Sequence, residues 1–212
     1  MPVKVKICGV TRVEDAEHVA RAGADFIGLN FWPPSKRYLP PARSGDVAAA
    51  ARAGNVPVVG VFVNASVDEI CSAHGHAQLA AIQLHGDEDE AFAKAASAAT
   101  GLPVWKALAA DRADTIHSYD ERAVEAVLLD TPSHGRGGSG TTFDWGLAHR
   151  AIAAFPQRRF VVAGGLTPAN VAAAITATTP WGVDTASGVE AAPGIKDAAR
   201  VTAFIAAARA AG

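Results

Sequence analysis

Two residues that end apolar runs have the chemistry of a proton-transfer pair. A cysteine followed at once by glycine closes K-I-C-G-V at Lys6–Val10, and an aspartate closes A-V-L-L-D at Ala126–Asp130. With the period of two of an extended strand, Lys4, Lys6 and Cys8 share one face while Val3, Val5 and Ile7 share the other. An ammonium one layer below a thiol favours the thiolate, the form that acts as a base. A carboxyl group facing that thiol would be the complementary acid. Plainer readings exist for both residues. Most free cysteines are small buried hydrophobes, and an aspartate before a long loop serves as a cap or turn residue. Strand propensity disfavours aspartate, so its place after A-V-L-L needs one explanation or the other.

Glycine sets point to a second kind of chemistry. Gly164-Gly165 and Ser187-Gly188 each follow a strand-like run, and Gly137-Gly138-Ser139-Gly140 makes a third set. Glycines let backbone N–H groups approach an anion closely, and a helix start nearby adds its positive end, so the expected ligand is a phosphate. Left-handed turns explain any one pair equally well; three sets shift the balance toward phosphate. In Asn30–Pro41 four prolines stiffen a segment carrying Arg37, whose planar fork suits a carboxylate, an exposed arginine being the alternative. His85 is either a substrate contact or, more simply, a strand-end histidine satisfied by neighbouring backbone. Lys106 reads as an inward lysine paired with a carboxylate in preference to a Schiff-base lysine. The parity of Asp184 predicts an ion pair with Lys6, and Cys71 falls on a predicted helix, where it packs.

Short β-branched or apolar runs must position these residues, and they alternate with Ala-rich segments of helical period along the whole chain. The predicted strands are Val3–Ile7, Asp25–Asn30, Val58–Val63, Ala81–Leu84, Val104–Leu108, Ala126–Asp130, Arg159–Ala163 and Gly182–Ala186. The predicted helices are Arg12–Ala22, Gly45–Ala53, Val67–His74, Glu88–Ala99, Arg112–Glu121, Trp145–Ala154, Pro168–Thr176 and Asp197–Ala210, several opened by a cap or an N1 proline such as Thr167-Pro168. Strands alternating with helices imply parallel pairing with right-handed crossovers. Eight units in 212 residues match a small (β/α)8 TIM barrel better than a doubly wound sheet. Such a barrel gathers its chemistry at the C-terminal strand ends. The first and sixth strands lie three steps apart around the ring, which sets Cys8 and Asp130 facing each other across its mouth.

Composition narrows the remaining classes. The chain is 50% apolar and 19% charged with a net charge of −2, so no basic stripe offers itself to nucleic acid. Its two cysteines have no disulfide or zinc spacing, which fits a reducing, cytoplasmic setting without a metal site. No apolar run is long enough to span a membrane, no signal segment opens the chain, and no GxGxxG follows the first strand. The expectation is one catalytic domain over residues 1–212, without a dinucleotide cofactor, taking a small phosphorylated substrate; monomer and homodimer both stay open.

At this point eight motifs fall in a known order. KICGVT at Lys6–Thr11, FWPPSKR at Phe31–Arg37, VGVFVN at Val59–Asn64, IQLHGDE at Ile82–Glu88, LLD at Leu128–Asp130, GGSGTTFDW at Gly137–Trp145, AGGLTPANV at Ala163–Val171 and DTASGVEAAPGIKD at Asp184–Asp197 resemble the phosphoribosylanthranilate isomerase family from end to end. Two departures are visible: Ser139 stands where the family commonly has threonine, and Thr185-Ala186 replaces a more usual Val-Ser pair. The resemblance implies a cofactor-free Amadori rearrangement in tryptophan biosynthesis, with Asp130 as general acid and Cys8 as general base. It further implies Arg37 on the anthranilate carboxylate and Gly164, Gly165, Ser187 and Gly188 on the phosphate. His85, Gly138, Ser139 and Gly140 are further possible substrate contacts. The alternatives are another phosphosugar barrel isomerase or a non-catalytic phosphate-binding barrel. A histidine-pathway isomerase would carry aspartate where this chain has Cys8, and a pure binder needs neither Cys8 nor Asp130.

Overall fold

The computed structural model describes residues 2–130 and 145–212. Among them, β1 (Lys4–Cys8), β2 (Phe26–Asn30), β3 (Val58–Phe62), β4 (Ala81–Leu84), β5 (Val104–Ala109), β6 (Ala126–Asp130), β7 (Arg159–Val162) and β8 (Gly182–Thr185) pair in chain order, and β8 closes onto β1. All these pairings are parallel, giving the expected (β/α)8 barrel. Strand limits differ from those expected by one residue at most.

Alternate side chains of a strand go to opposite faces, and here the two faces bury separate cores. Val5, Ile7, Ile27, Leu29, Ile82, Leu84, Val127 and Leu129 pack outward against the helical layer. Val59, Ala81, Trp105, Ala107, Ala126, Leu128, Val161 and Ala163 fill the interior with Phe26 and Trp181, Trp105 meeting the Phe26 ring edge-on at 5.0 Å. Burying an Ile or Leu side chain stabilises by about 1.5–3 kcal/mol. A one-residue slip would exchange Ile7 for Lys6 or Cys8 on the helix side, so register is strongly specified. The observed register sets Lys6 beside Asp184 and Cys8 beside Gly28.

The helices among the described residues are α1 (Val13–Arg21), α2 (Pro41–Ala53), α3 (Val67–Ala77), α4 (Glu90–Thr100), α5 (Trp145–Ala154), α6 (Val171–Thr178) and α7 (Ala198–Ala211). Ser66 and Glu69 form a reciprocal capping box on α3, and Asp89 and Asp197 cap α4 and α7. The third helix runs on to Ala77, past the His74 expected, and three further expectations need correction. The second helix starts at Pro41 and not at Gly45, because proline is well suited to the first helical position, where its missing N–H costs nothing. The helix expected at 112–121 is a 3-10 segment, Ala110–Ser118, whose sequence ADRADTIHS is rich in poor α-formers. The helix expected from Pro168 starts at Val171, since Asn170 Oδ1 accepts the Thr167 N–H at 2.7 Å and holds 167–170 as a turn.

After β8 the chain makes a 3-10 turn, Ser187–Val189, and then an unforeseen antiparallel hairpin of β9 (Glu190–Ala192) and β10 (Ile195–Lys196). Gly194, with φ of 81°, supplies the left-handed residue in its bend. Among the described residues no helix is long and apolar enough to cross a membrane.

Candidate active site

Cys8 takes the inward phase of β1 and is 9% exposed, with Lys6 one layer below it at 1%. Lys6 Nζ donates to Asp184 Oδ1 at 2.9 Å, the pair that strand parity predicts. A Cβ on Gly28 would sit 2.8 Å from Cys8 Sγ and 3.1 Å from Lys6 Nζ, so the thiol and the ammonium share space that only glycine leaves open. Burial pushes the Cys8 thiol above its usual range, and Asp184 reinforces the shift, while Lys6 and Lys196 pull the other way. The sequence suggests an easily formed thiolate. In the folded protein desolvation outweighs the cations and the thiol is the favoured form. Lys6 is raised too, for a different reason: burial alone would lower its pKa, but Asp184 and Cys8 hold it above the ordinary lysine value.

Gly9 follows with φ of 70°, and the Cβ it lacks would collide with the Arg37 side chain. Arg37 therefore crosses the turn directly after Cys8. Its loop is closed by Leu39 N–H to Asn30 O at 2.8 Å and by Arg37 N–H to Ser35 Oγ at 3.1 Å. The guanidinium Nε and Nη2 donate to Glu190 Oε1 and Oε2, both at 2.7 Å, leaving Nη1 outside that pair. Glu190 also accepts from Lys196 Nζ at 2.9 Å and from the Gly194 N–H at 3.2 Å. Burial alone would raise the Glu190 pKa; the bonds from Arg37 and Lys196 outweigh it and hold the carboxyl below its usual range. Burial lowers Lys196, with Glu190 opposing.

Asp130 continues the inward phase of Ala126 and Leu128 and ends β6. His85 stands beside it, with Nε2 3.5 Å from Asp130 Oδ2. The other ring nitrogen, Nδ1, lies 3.0 Å from Gln83 Nε2, so the partners of His85 are side chains and not the backbone expected from sequence. The loop after β4 is pinned from below. Lys106 Nζ donates to Glu88 Oε2 at 2.9 Å and to Gly86 O at 2.7 Å, and Glu88 also accepts from the Asn64 N–H at 2.7 Å. Lys106 thus has the carboxylate partner expected of it, but not the inward position, since its neighbours Trp105 and Ala107 take the interior phase of β5 and Lys106 the opposite one. Cys71, on α3, is partly buried.

Gly164 and Gly165 both take positive φ, 84° and 67°, directly after β7. Thr185 Oγ1 donates to Leu166 O at 2.7 Å, and a Cβ on Gly188 would overlap that same carbonyl, so the loops after β7 and β8 are in contact. Ser187 opens only a three-residue 3-10 turn, which offers individual N–H groups and no macrodipole of the kind expected there. Gly138, Ser139 and Gly140 lie outside the described residues. A hollow of about 320 Å³ lined by Asn64, Ala65, Asp87, Glu88, Asp89 and Phe92 includes neither Cys8 nor Asp130. Among the described residues no group of three or more His, Cys, Asp or Glu is arranged to hold a metal ion.

Sequence reasoning overlooked Glu190, Lys196, Glu88 and Gln83 as members of the site's supporting network. All four lie inside the quoted motifs. Acidic or amide residues within SGVE and IQLHGDE were a signal, but their partners are distant in sequence.

Comparison with known proteins supplies a family. The model of N-(5'phosphoribosyl)anthranilate (PRA) isomerase matches residues 5–207. N-(5'-phosphoribosyl)anthranilate isomerase of Myxococcus xanthus (strain DK1622) is 47% identical over 221 residues, covering 99% of this chain and 97% of its own. The crystal structure of phosphoribosyl anthranilate isomerase from Thermotoga maritima superposes with a TM-score of 0.85 at 38% identity, covering 98% of this chain and 99% of that one. A phosphoribosyl anthranilate isomerase in complex with reduced 1-(O-carboxyphenylamino)-1-deoxyribulose 5-phosphate superposes with a TM-score of 0.81 at 35% identity, over 98% of this chain and 99% of that one.

Proposed function

The chain belongs to the N-(5'-phosphoribosyl)anthranilate isomerase family, isomerases of tryptophan biosynthesis, and from that membership we propose the chemistry of its barrel mouth. The reaction is the Amadori rearrangement of N-(5-phosphoribosyl)anthranilate to 1-(2-carboxyphenylamino)-1-deoxyribulose 5-phosphate. Asp130 in its acid form gives a proton to the furanose ring oxygen as the bond from that oxygen to C1′ breaks, leaving a protonated imine. The Cys8 thiolate then takes the C2′ proton. The C–H electron pair moves into the C1′–C2′ bond, the imine pair returns to nitrogen, and the enolamine tautomerises to the ketone. The Asp130 carboxylate left by the first step offsets the charge on nitrogen.

Burial makes Cys8 a stronger base once ionised, and Lys6 and Lys196 keep ionisation within reach. Arg37, oriented by Glu190, holds the anthranilate carboxylate. Backbone groups of Gly164, Gly165, Ser187 and Gly188 hold the phosphate, with His85 as a further contact. The observation that supports this reading most is the shared inward phase of Cys8 and Asp130 at the C-terminal ends of β1 and β6 in one closed barrel. Freshly prepared phosphoribosylanthranilate is fluorescent, and purified protein should accelerate the decay of that fluorescence. Decay at the spontaneous rate rejects the assignment.

A further inference from the structure

Gln83 lies on β4 two residues before His85, one inward layer deeper in the barrel, and is 1% exposed. Its Nε2 is 3.0 Å from His85 Nδ1, while its Oε1 is a buried acceptor with no hydrogen-bond partner among the described residues. Across the ring, His85 Nε2 stands 3.5 Å from Asp130 Oδ2. An amide nitrogen only donates, so the ring nitrogen facing it must accept, and a neutral imidazole has a single accepting nitrogen. The proton then resides on Nε2, the nitrogen turned toward Asp130. With the amide turned by half a turn Oε1 would face Nδ1 and the ring proton would sit on Nδ1, so the orientation of the amide sets the tautomer.

We propose that Gln83 is a positioning residue of the rearrangement: it fixes His85 as the Nε2–H tautomer, so that the imidazole donates toward the Asp130 carboxylate as that carboxylate forms. The inference rests on the general-acid role of Asp130. Before proton transfer the carboxyl is neutral and gains little from a donor. As its proton passes to the ring oxygen, negative charge grows on the atoms facing His85, and a donor already aimed there stabilises the transition state over the ground state. The opposite tautomer would present a lone pair to the same growing charge. The long Nε2 to Oδ2 separation suits a bond that tightens only during the reaction.

Nitrogen-15 NMR of histidine-labelled protein reads the tautomer directly, with the His85 signals identified by their loss in His85→Asn. The expected wild-type pattern is a protonated Nε2 and an unprotonated Nδ1. Gln83→Met keeps the length of the side chain without its amide, so it should give mixed tautomers. Its kcat should fall about tenfold with KM nearly unchanged, the loss of one oriented hydrogen bond in the transition state. A wild-type Nδ1–H tautomer overturns the proposal, and this result needs no variant to fold. An unaltered Nε2–H pattern in folded Gln83→Met overturns it too. Near-normal turnover in Asp130→Asn sinks the general-acid reading instead while the tautomer pattern stands, so the two failures are distinguishable.

Discussion

Arg37 and Glu190, 153 residues apart in sequence, meet in a two-point ion pair with both N to O distances at 2.7 Å. The pair ties the loop after β2 to the hairpin after β8, and Lys196 binds the same carboxylate while donating to Ala186 O at 3.1 Å. Two cations around one carboxylate leave this corner with a surplus positive charge. If Arg37 receives the substrate carboxylate there, Glu190 sets the angle of its fork. Arg37→Ala should raise KM by tenfold or more at nearly constant kcat, since ground state and transition state lose the same contact (about 1.5–3 kcal/mol). Glu190→Gln should raise KM by less, because one of its two acceptors survives. Steady-state kinetics separate the two, and an unchanged KM in Arg37→Ala removes the carboxylate role.

Cys8→Ser and Asp130→Asn should each lower turnover by about 10²–10⁴-fold, the usual contribution of a positioned acid or base. Circular dichroism and product-analogue affinity should stay close to wild type. Retained turnover in either variant would end the acid and base assignment.

Because burial raises the Cys8 thiol, its alkylation should accelerate with pH well past the ordinary thiol value of about 8.5. A Cys71→Ser background isolates the signal. The free-enzyme profile of kcat/KM should climb through the same region if the thiolate is the base. An alkylation midpoint below the ordinary value would contradict the dominance of burial.

Acid should weaken the fold in a predictable direction. Glu190 and Asp25 both have carboxyls held below their usual range; for Asp25, bonds from the Val5 N–H, Lys4 and Arg209 outweigh the opposing effect of burial. A depressed folded-state pKa contributes stability that is complete above the unfolded value, about 3.9 for Asp and 4.3 for Glu, and is lost as pH falls through the folded one. Urea midpoints should therefore fall below about pH 4. Asp25→Asn should flatten that dependence, and an unchanged slope in the variant would show that other groups carry it.

Gly28→Ala tests the space shared by the thiol and the ammonium. The added Cβ would press on Cys8 Sγ at 2.8 Å and Lys6 Nζ at 3.1 Å. The cost should be about 1–3 kcal/mol of stability, with a disproportionate fall in kcat as the thiol is displaced. Thermal melts and kinetics on the same preparation read both; unaltered turnover would mean that Sγ has room to move.

The barrel was legible because it depends on period and order alone. Val5 and Ile7 had to face the helices, and the phase that places them there also turns Lys6 and Cys8 inward. The same parity foretold the Lys6–Asp184 pair, whose members are brought together once β8 closes on β1. The start of the helix after β7 differs from expectation because a local hydrogen bond, Thr167 N–H to Asn170 Oδ1, competes with helical propensity, and the segment at 112–121 because its residues are poor α-formers.

Sequence by itself therefore determined the repeating architecture, the inward phase of Cys8 and Asp130, and the glycine-marked loops, since each follows from local alternation and chain order. Tertiary structure alone decided which charges meet. Glu190 on Arg37, Glu88 on Lys106, Gln83 on His85 and the rise of the Cys8 thiol all depend on distances between separate loops and layers. Electrostatic energy varies with separation and burial, and neither is written in the spacing of residues along a chain.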